Sequence, residues 1–300
     1  MKKVLLLTNM DAGTGAIAEN LPKILQQLVQ AGCEVTVYPI LYRQGLDTQA
    51  ILEKTKGRFD CILVSGGDGT LNHLIDAMMH TAYDRPYAFL PLGSCNDFSR
   101  SIYHGRQPDL EDVCRAIVEG HPFYYDIGTF NMRYFNYIAA FGAFTDVSYT
   151  TAREWKNLLG YGAYAMRALS NLPNGLNTRV HMRLECDDQI LQGDYLLGGI
   201  CNTRSVAGMQ TPLLSASKLN DGKMELLLID VPKDLFEMNA ILAALHHENT
   251  RDPHIHLLQG SHFHFIFDQE ISWTLDGEDG GKVKEADIHV VSDRIATLLP

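Results

Sequence analysis

Residues 59–72 read FDCILVSGGDGTLN, and this stretch decides the fold because an apolar strand runs into a glycine-rich turn and then into a helix. Phe59 to Val64 form the predicted strand. Apolar residues then recur at helical spacing, at Leu71, Leu74, Ile75 and Met78. We expect the glycines of the turn to adopt positive φ and to let the backbone approach a ligand: Gly66, Gly67 and Gly69. A helix N-terminus after such a turn suits a phosphate, although the pattern is also typical of a plain βα connection.

The chemistry of this turn differs from that of two common phosphate-binding motifs. It matches neither GxGxxG nor GxxxxGK(S/T), and the missing lysine argues against a P-loop. It offers an acid, Asp68, and the hydroxyl of Thr70. An acid beside phosphates indicates a divalent cation, a ribose hydroxyl or a transferable proton nearby.

A second turn of the same kind follows in YAFLPLGSCNDFSR at residues 87–100. A strand from Tyr87 to Leu90 precedes a glycine, small polar residues and a helix that begins near Phe98. Asn96 or Asp97 taken alone is by default explained as a helix cap. The first strand, residues 4–9, supplies a third turn with two glycines, Gly13 and Gly15. Because ligands bind at the carboxyl ends of strands in open α/β sheets, three such turns predict a crevice at one rim.

The order of elements predicts two domains. The first part of the chain, to about residue 120, alternates strands and helices, which predicts a doubly wound, mainly parallel α/β domain over residues 1–122. Gly120, His121 and Pro122 end the last helix. From residue 123 the period changes to two, which is typical of antiparallel strands, with helical segments near 152–170 and 234–247. Residues 123–286 are therefore predicted to form a β-sandwich with helical insertions.

Composition limits the classes of function. The 300 residues are 46% hydrophobic, and no apolar run approaches the roughly 18 residues that a membrane span needs. The formal charge of −11 argues against nucleic acid and against strong attachment to anionic lipid. None of the six cysteines forms a CxxC pair, which predicts reduced thiols in a cytoplasmic protein.

Several motifs in order resemble the diacylglycerol kinase catalytic-domain family, in particular the soluble bacterial lipid kinases. GGDGTLN at 66–72 and GSCNDFSR at 93–100 carry the first part of the resemblance, and NMDAGTG at 9–15 is similar to the family's opening turn. The later motifs are DIGTFNMRYFNYIAAFGAFTDV at 126–147, the segment 198–229 with its KLNDG turn, and LDGE at 275–278. The GGDGT motif alone is shared with NAD kinases and phosphofructokinases, so the specific signal lies in the whole series.

The resemblance implies an ATP-dependent lipid kinase that phosphorylates the hydroxyl of a diacylglycerol-like lipid in a cleft between the two domains. It also implies that the last strand, about residues 287–300, returns to the first domain. ATP and Mg²⁺ are the implied cofactors, and the lipid would be met transiently at a membrane surface. The implied nucleotide-binding residues lie on the three turns: Asn9, Gly66, Gly67, Asp68, Gly69, Thr70, Leu71, Asn72, Gly93, Ser94, Asn96 and Asp97.

The same resemblance places the catalytic acid in LDGE, on Asp276 or Glu278, and leaves open which of the two is the base. Two residues apart, both would face the same way if the strand continued. It further implies a structural Mg²⁺ held by Asp221 with the backbone carbonyls of Lys218 and Lys223. Taken alone, both motifs are also typical of ordinary turns with solvated acids.

Other interpretations stay open. A soluble-substrate kinase of the NAD kinase type and a catalytically inactive nucleotide- or lipid-binding regulator are the alternatives, and His73, where the family usually has an acid, supports the second. Cys95 and Met10 also depart from the family pattern. His262 and His264 alternate with Phe263 and Phe265, which indicates a solvated strand face rather than a zinc site. Exposed edge strands allow a homodimer, although nothing in the sequence requires one.

Overall fold

The structure is a computed structural model that describes residues 1–9, 16–41, 45–93, 95–143, 178–206, 209–210, 214, 217–246 and 252–300. Fifteen strands and six helices are named in the described residues. The helices are α1 (Ala16–Gln30), α2 (Thr48–Thr55), α3 (Asp68–Thr81), α4 (Asp97–Ile102), α5 (Leu110–Glu119) and α6 (Leu235–His246). The strands are β1 (Lys2–Asn9), β2 (Cys33–Ile40), β3 (Cys61–Gly66), β4 (Tyr87–Pro91), β5 (His121–Phe130), β6 (Arg133–Phe135), β7 (Ile138–Gly142), β8 (Val180–Cys186), β9 (Gln189–Cys201), β10 (Ser205–Val206), β11 (Met209–Gln210), β12 (Met224–Asp230), β13 (Ile255–Gly260), β14 (His262–Leu275) and β15 (Glu278–Leu299).

The chain divides into two compact units, of which the first comprises Met1–Tyr125 and Ser292–Pro300. Its strands β2, β1, β3 and β4 lie side by side in that order and pair in parallel. The end of β15 adds to β4, also in parallel, through Thr297 and Tyr87. Apolar side chains of the strands and of α1 and α5 form one core, including Val4, Leu6, Ile24, Leu63 and Ile117. The predicted alternation of strands and helices is therefore present in this unit.

The second unit, Asp126–Val291, is rich in antiparallel strands. Strand β9 pairs with β8 along its first half and with β7 and β12 along its second half. Strand β14 likewise pairs with β8 near its beginning and with β7 near its end. Alternate residues of β14 point into a core that contains Phe263, Phe265 and Trp273. The predicted period of two in this part of the chain is confirmed.

Two features of the second unit concern the predicted elements directly. Helix α6 buries Met238, Ile241 and Leu245 against a second apolar cluster, which agrees with the helix predicted near 234–247. The helix predicted near 152–170 lies outside the described residues. Strand β15 begins at Glu278, earlier than the last strand predicted from about residue 287, because it pairs with β14 directly after the LDG turn.

No helix in the described part of the chain combines the length and apolar character needed to cross a membrane. Five of the six cysteines are buried. Burial raises the pKa of the Cys61 thiol to about 12, which suits an inert structural thiol.

Candidate functional site

Two of the predicted polar turns meet in the first unit. They follow β3 and β4, which are neighbouring parallel strands, so their carboxyl ends lie at the same edge of the sheet. The N–H groups of Leu92 and Gly93 donate to the Gly66 carbonyl at 2.8 and 3.2 Å. The N–H of Asp97 lies 3.3 Å from Asp68 Oδ2. The two turns therefore form one continuous polar rim.

The glycines of this rim are required for close approach and not for unusual torsion angles. The prediction of positive φ is wrong, since Gly66, Gly67 and Gly69 do not have it, and Gly67 has φ −101° and ψ −173°. A Cβ on Gly66 would lie 2.5 Å from Thr70 Oγ1. One on Gly93 would lie 2.6 Å from the Cα of Gly67. A side chain at Gly93 would therefore clash with the backbone of the other turn, and one at Gly66 would clash with the Thr70 side chain.

Helix α3 starts at Asp68, earlier than the sequence pattern suggests, so that Gly69 and Thr70 belong to its first turn. Gly67 occupies the N-cap position and supplies no side-chain hydrogen bond to the helix. The first-turn N–H groups and the positive end of the helix dipole thus have no side-chain cap. This arrangement suits an anion such as a phosphate.

The other residues predicted to bind the nucleotide differ in burial and in hydrogen bonding. Asn9 Nδ2 lies 3.5 Å from Thr70 Oγ1, which links the end of β1 to the start of α3. Thr70, Asn72 and Asp97 are buried, as is Leu71, whose side chain belongs to the apolar interior. Asn96 is buried with φ +53°, and its amide donates to the Gly93 carbonyl at 2.8 Å. Ser94 and residues 10–15 lie outside the described residues.

The LDGE motif forms the tight turn between β14 and β15 in the second unit. Asp276 and Gly277 both have positive φ, at +51° and +86°, as a two-residue hairpin turn of type I′ requires. The Asp276 carboxylate accepts three backbone N–H groups, from Asn136 at 2.6 Å and from Tyr137 and Ile138 at 2.9 Å. Asp276 is only 4% exposed.

Glu278 lies on β15 and is exposed. The strand does not continue through LDGE, so the condition under which Asp276 and Glu278 would face the same way is not met. The carboxylate of Asp276 fixes the segment 136–138, whereas the side chain of Glu278 is exposed to solvent. Of the two acids, Glu278 is therefore solvated, whereas Asp276 is buried.

The KLNDG turn precedes β12. A buried aspartate, Asp126, holds the backbone of this turn, and that role was not predicted from the sequence. Asp126, 1% exposed, accepts the Gly222 N–H on Oδ2 at 2.8 Å and donates its own N–H to the Leu219 carbonyl. The amide of the buried Asn202 donates to the carbonyls of Asp126 and Leu219 at 2.6 and 3.0 Å. Both residues lie in motifs noted in the sequence, but their separation of 76 positions gave no sign of contact.

The exposed side of this turn has the donor chemistry that a hard cation prefers. Asp221 is exposed, and its carboxylate accepts the Lys223 N–H at 3.2 Å and the Gln259 amide at 3.3 Å. Glu225 lies close to it, with Oε2 buried and without a hydrogen-bond partner. Burial raises the pKa of Glu225 to about 7, and the Asp221 carboxylate adds to this rise. Carboxylate oxygens are ligands that Mg²⁺ prefers, and the two lysines whose carbonyls the family resemblance implicates, Lys218 and Lys223, lie exposed in the same turn.

Comparison with known proteins agrees with these motifs. Residues 3–130 match the family model of the diacylglycerol kinase catalytic domain. The chain is 31% identical over 283 residues to a diacylglycerol kinase of Staphylococcus saprophyticus, covering 94% of this chain and 90% of the relative. It is 30% identical over 283 residues to a diacylglycerol kinase of Staphylococcus aureus, covering 94% and 88%.

Solved structures share the fold. The crystal structure of a diacylglycerol kinase from Bacillus anthracis superposes with a TM-score of 0.76 at 19% identity, covering 100% of this chain and 97% of that one. A second structure from the same organism gives a TM-score of 0.80 at 21% identity with the same coverage. The likeness supports a mixed α/β fold with a sheet-rich C-terminal part.

Proposed function

The chain belongs to the diacylglycerol kinase family, and we propose from this premise that it transfers the γ-phosphoryl group of ATP to the hydroxyl of a diacylglycerol-like lipid. It is a phosphotransferase that acts on an alcohol group of a lipid. The proposal also includes the finer architecture, a first domain like that of NAD kinase and phosphofructokinase and a β-sandwich second domain.

The meeting of the two glycine turns at the start of α3 is the observation that carries the nucleotide part of the proposal. The side-chain-free backbone at Gly66, Gly67 and Gly93 lets phosphates approach, and the first-turn N–H groups of α3 would receive them. Asp68 and Thr70 contribute the only polar side chains in that first turn. Asp68 is the residue that would hold a nucleotide-bound Mg²⁺, which supplies charge neutralisation to the phosphates when bound.

We assign the general base to Glu278 and a positioning role to Asp276. The base must take the proton from the lipid hydroxyl as that oxygen attacks the γ-phosphorus and ADP leaves, so its carboxylate must be accessible. Glu278 is exposed and adjoins the rigid hairpin turn, whereas the lone pairs of Asp276 are engaged by three backbone N–H groups. Asp276 would thereby hold the turn that presents Glu278.

The turn at Lys218–Lys223 is the proposed site of a structural Mg²⁺, with Asp221 as the side-chain ligand. Asp126 and Asn202 would not bind the ion themselves. They would support the site, because their hydrogen bonds hold the backbone of the turn in place. Such supporting contacts commonly affect metal affinity about 10–100-fold.

The decisive experiment is transfer of labelled γ-phosphate from ATP and Mg²⁺ to a panel of acceptors. The panel contains diacylglycerol, a sphingoid base and a phospholipid in mixed micelles, with NAD and sugar phosphates as soluble acceptors. We expect label in diacylglycerol, presented at the micelle surface as it would be at a membrane. Label in NAD or a sugar phosphate would contradict the proposed acceptor, and ATP binding without any transfer would favour an inactive regulator.

A pair of variants ties the activity to the proposed nucleotide site. Asp68→Asn removes the charge but keeps an oxygen that can accept the Asp97 N–H. It should lower the rate strongly at fixed Mg²⁺. Asp84→Asn, at a side chain that is 75% exposed in the same unit, is the matched control and should leave the rate unchanged. Equal rates in the two variants would remove Asp68 from the site.

A further inference from the structure

A cluster of three histidines and one aspartate lies on the second unit, outside the motifs that carry the kinase chemistry. It is built on the pairing of β14 and β15, in which His262 lies opposite His289 and His264 opposite Asp287. Because side chains alternate along a strand, all four project from the same face of the sheet. The sequence predicted the shared face of His262 and His264, but not the two residues that β15 places against them.

Side-chain contacts draw three of these residues together. His262 Nε2 lies 2.7 Å from Asp287 Oδ1, and His289 Nε2 lies 2.8 Å from Asp287 Oδ2. The two imidazole rings stack with centroids 4.1 Å apart and an angle of 3°. His264 Nδ1 lies 3.5 Å from Asp287 Oδ1. The Asp287 carboxylate therefore contacts imidazole nitrogens from both β14 and β15.

The backbone of Asp287 is held by two hydrogen bonds with Asn131. Its N–H donates to Asn131 Oδ1 at 2.9 Å, and its carbonyl accepts the Asn131 N–H at 2.9 Å. Partial burial acts to raise the pKa of the Asp287 carboxyl, but the hydrogen bonds from His262 and His289 outweigh it, and the pKa lies below its usual range. The carboxylate is therefore charged and held in place at neutral pH.

We propose that His262, Asp287 and His289 form a binding site for a transition-metal dication of the Zn²⁺ class, with His264 or water as a further ligand. Imidazole nitrogens with one carboxylate are a donor set that suits Zn²⁺ and neighbouring metals, whereas Mg²⁺ prefers oxygen ligands. Among the described residues, this is the one group of three or more His, Cys, Asp or Glu side chains whose ligand atoms come within 4.8 Å of one another.

The geometry needs only side-chain adjustment to receive the ion. Two nitrogens bound to tetrahedral Zn²⁺ lie roughly 3.4 Å apart, from Zn–N distances of about 2.05 Å. The ligand atoms now span up to 4.8 Å, and the side chains of His262 and His289 are 44% and 51% exposed, so their rings are able to rotate inward. To bind the ion, each imidazole presents an unprotonated ring nitrogen and carries its one proton on the other ring nitrogen.

Such a site would join β14 and β15, the two strands that the LDGE turn connects, and it shares no residue with that turn or with the glycine turns. The ligands are separated by 25 positions, and Asp287 is also bonded to Asn131 at the end of β5. Binding to the folded form alone would raise the melting temperature by about 5 °C at a hundredfold excess over Kd. The proposed phosphoryl transfer does not depend on this ion.

Calorimetric titration of the full chain, freed of metal with a chelator, tests the site with ZnCl₂ as the probe. We expect one ion per chain, a rise in melting temperature, and no displacement by Mg²⁺. His289→Gln and Asp287→Asn should each weaken Zn²⁺ binding at least about tenfold. The matched control is His181→Gln, since His181 contacts one carboxylate, Asp194, at the same 2.7 Å but has no second histidine there.

Two outcomes would overturn the proposal. One is the absence of saturable Zn²⁺ binding to the wild-type chain, which would leave an ordinary hydrogen-bonded cluster. The other is equal Zn²⁺ binding by wild type, His289→Gln and Asp287→Asn, which would place the ion elsewhere. Circular dichroism establishes that each variant is folded, and Co²⁺ substitution adds a visible spectrum that reports the ligands and must change in His289→Gln if that nitrogen binds.

Discussion

Replacing each acid of the LDGE turn separates structural support from catalysis. In Asp276→Asn, the single side-chain oxygen is able to accept two of the three N–H groups, and the amide NH₂ then faces the third as donor against donor. The loss of one bond to a charged acceptor, together with an unsatisfied buried N–H, costs about 2–5 kcal/mol. Asparagine tolerates the positive φ of this position, so backbone strain adds little. The total stability of a domain is only about 5–15 kcal/mol, so the change is large.

Glu278→Gln should behave in the opposite way. Its exposed side chain contributes no more than about 0.5 kcal/mol to stability, but loss of the base should lower kcat about 10²–10⁴-fold. Urea unfolding followed by circular dichroism gives the first quantity, and the labelled-phosphate assay gives the second. Glu270→Gln, at an exposed glutamate of the neighbouring strand β14, is the control for both. A stable but inactive Asp276→Asn together with an active Glu278→Gln would refute the reasoning and exchange the two roles.

Three further predictions concern other parts of the molecule. Gly93→Ala should lower the free energy of unfolding by about 1–3 kcal/mol and weaken nucleotide binding, because its Cβ would lie 2.6 Å from the Gly67 Cα. Gly199→Ala, whose Cβ would meet its nearest neighbour at 3.6 Å, is the control in urea unfolding. Asp112→Asn should cost about 1 kcal/mol at neutral pH, since Asp112 closes the capping box of α5 and a hydrogen bond from Arg106 lowers its pKa against the effect of partial burial. A lowered pKa in the folded state gives stability that is present above about pH 4 and lost as the pH falls, so the difference from wild type should vanish in acid. Mg²⁺ at ten times its Kd should stabilise the wild type by about 1.4 kcal/mol but not Asp221→Asn, and an equal rise in melting temperature for both would exclude Asp221 as a ligand.

The turns of the first unit could be predicted from the sequence because the residues that form each turn are adjacent in the chain. A strand, a glycine turn and the helical stripe of Leu71, Leu74, Ile75 and Met78 are readable along the chain, and the parallel pairing of β3 and β4 brings the turns together. The role of the glycines was not readable, since the need for Gly93 comes from the backbone of Gly67, 26 positions earlier. Close packing between segments leaves no periodic signal.

The same limit explains the second unit. The period-two pattern predicted its strands, but the turn at Asp276 breaks the alternation on which the common orientation of Asp276 and Glu278 was based. The contacts of Asp126 with the 219–222 turn and of Asp287 with His262 join residues far apart in sequence. The domain boundaries and the residue assignments of the nucleotide site stay predictions.

The two acidic turns of the second unit show a common division of labour. In each, a buried carboxylate accepts at least one backbone N–H and an exposed carboxylate lies nearby. Asp126 accepts the Gly222 N–H beside Asp221, and Asp276 accepts those of residues 136–138 two positions before Glu278. A buried charge is costly unless hydrogen bonds satisfy it, and backbone N–H groups supply such bonds to both carboxylates, one to Asp126 and three to Asp276. The exposed acid gains a rigid backbone without losing access to a ligand. An acidic motif in this unit therefore indicates a supported turn first, and the accessible carboxylate beside it is where chemistry or metal binding should be sought.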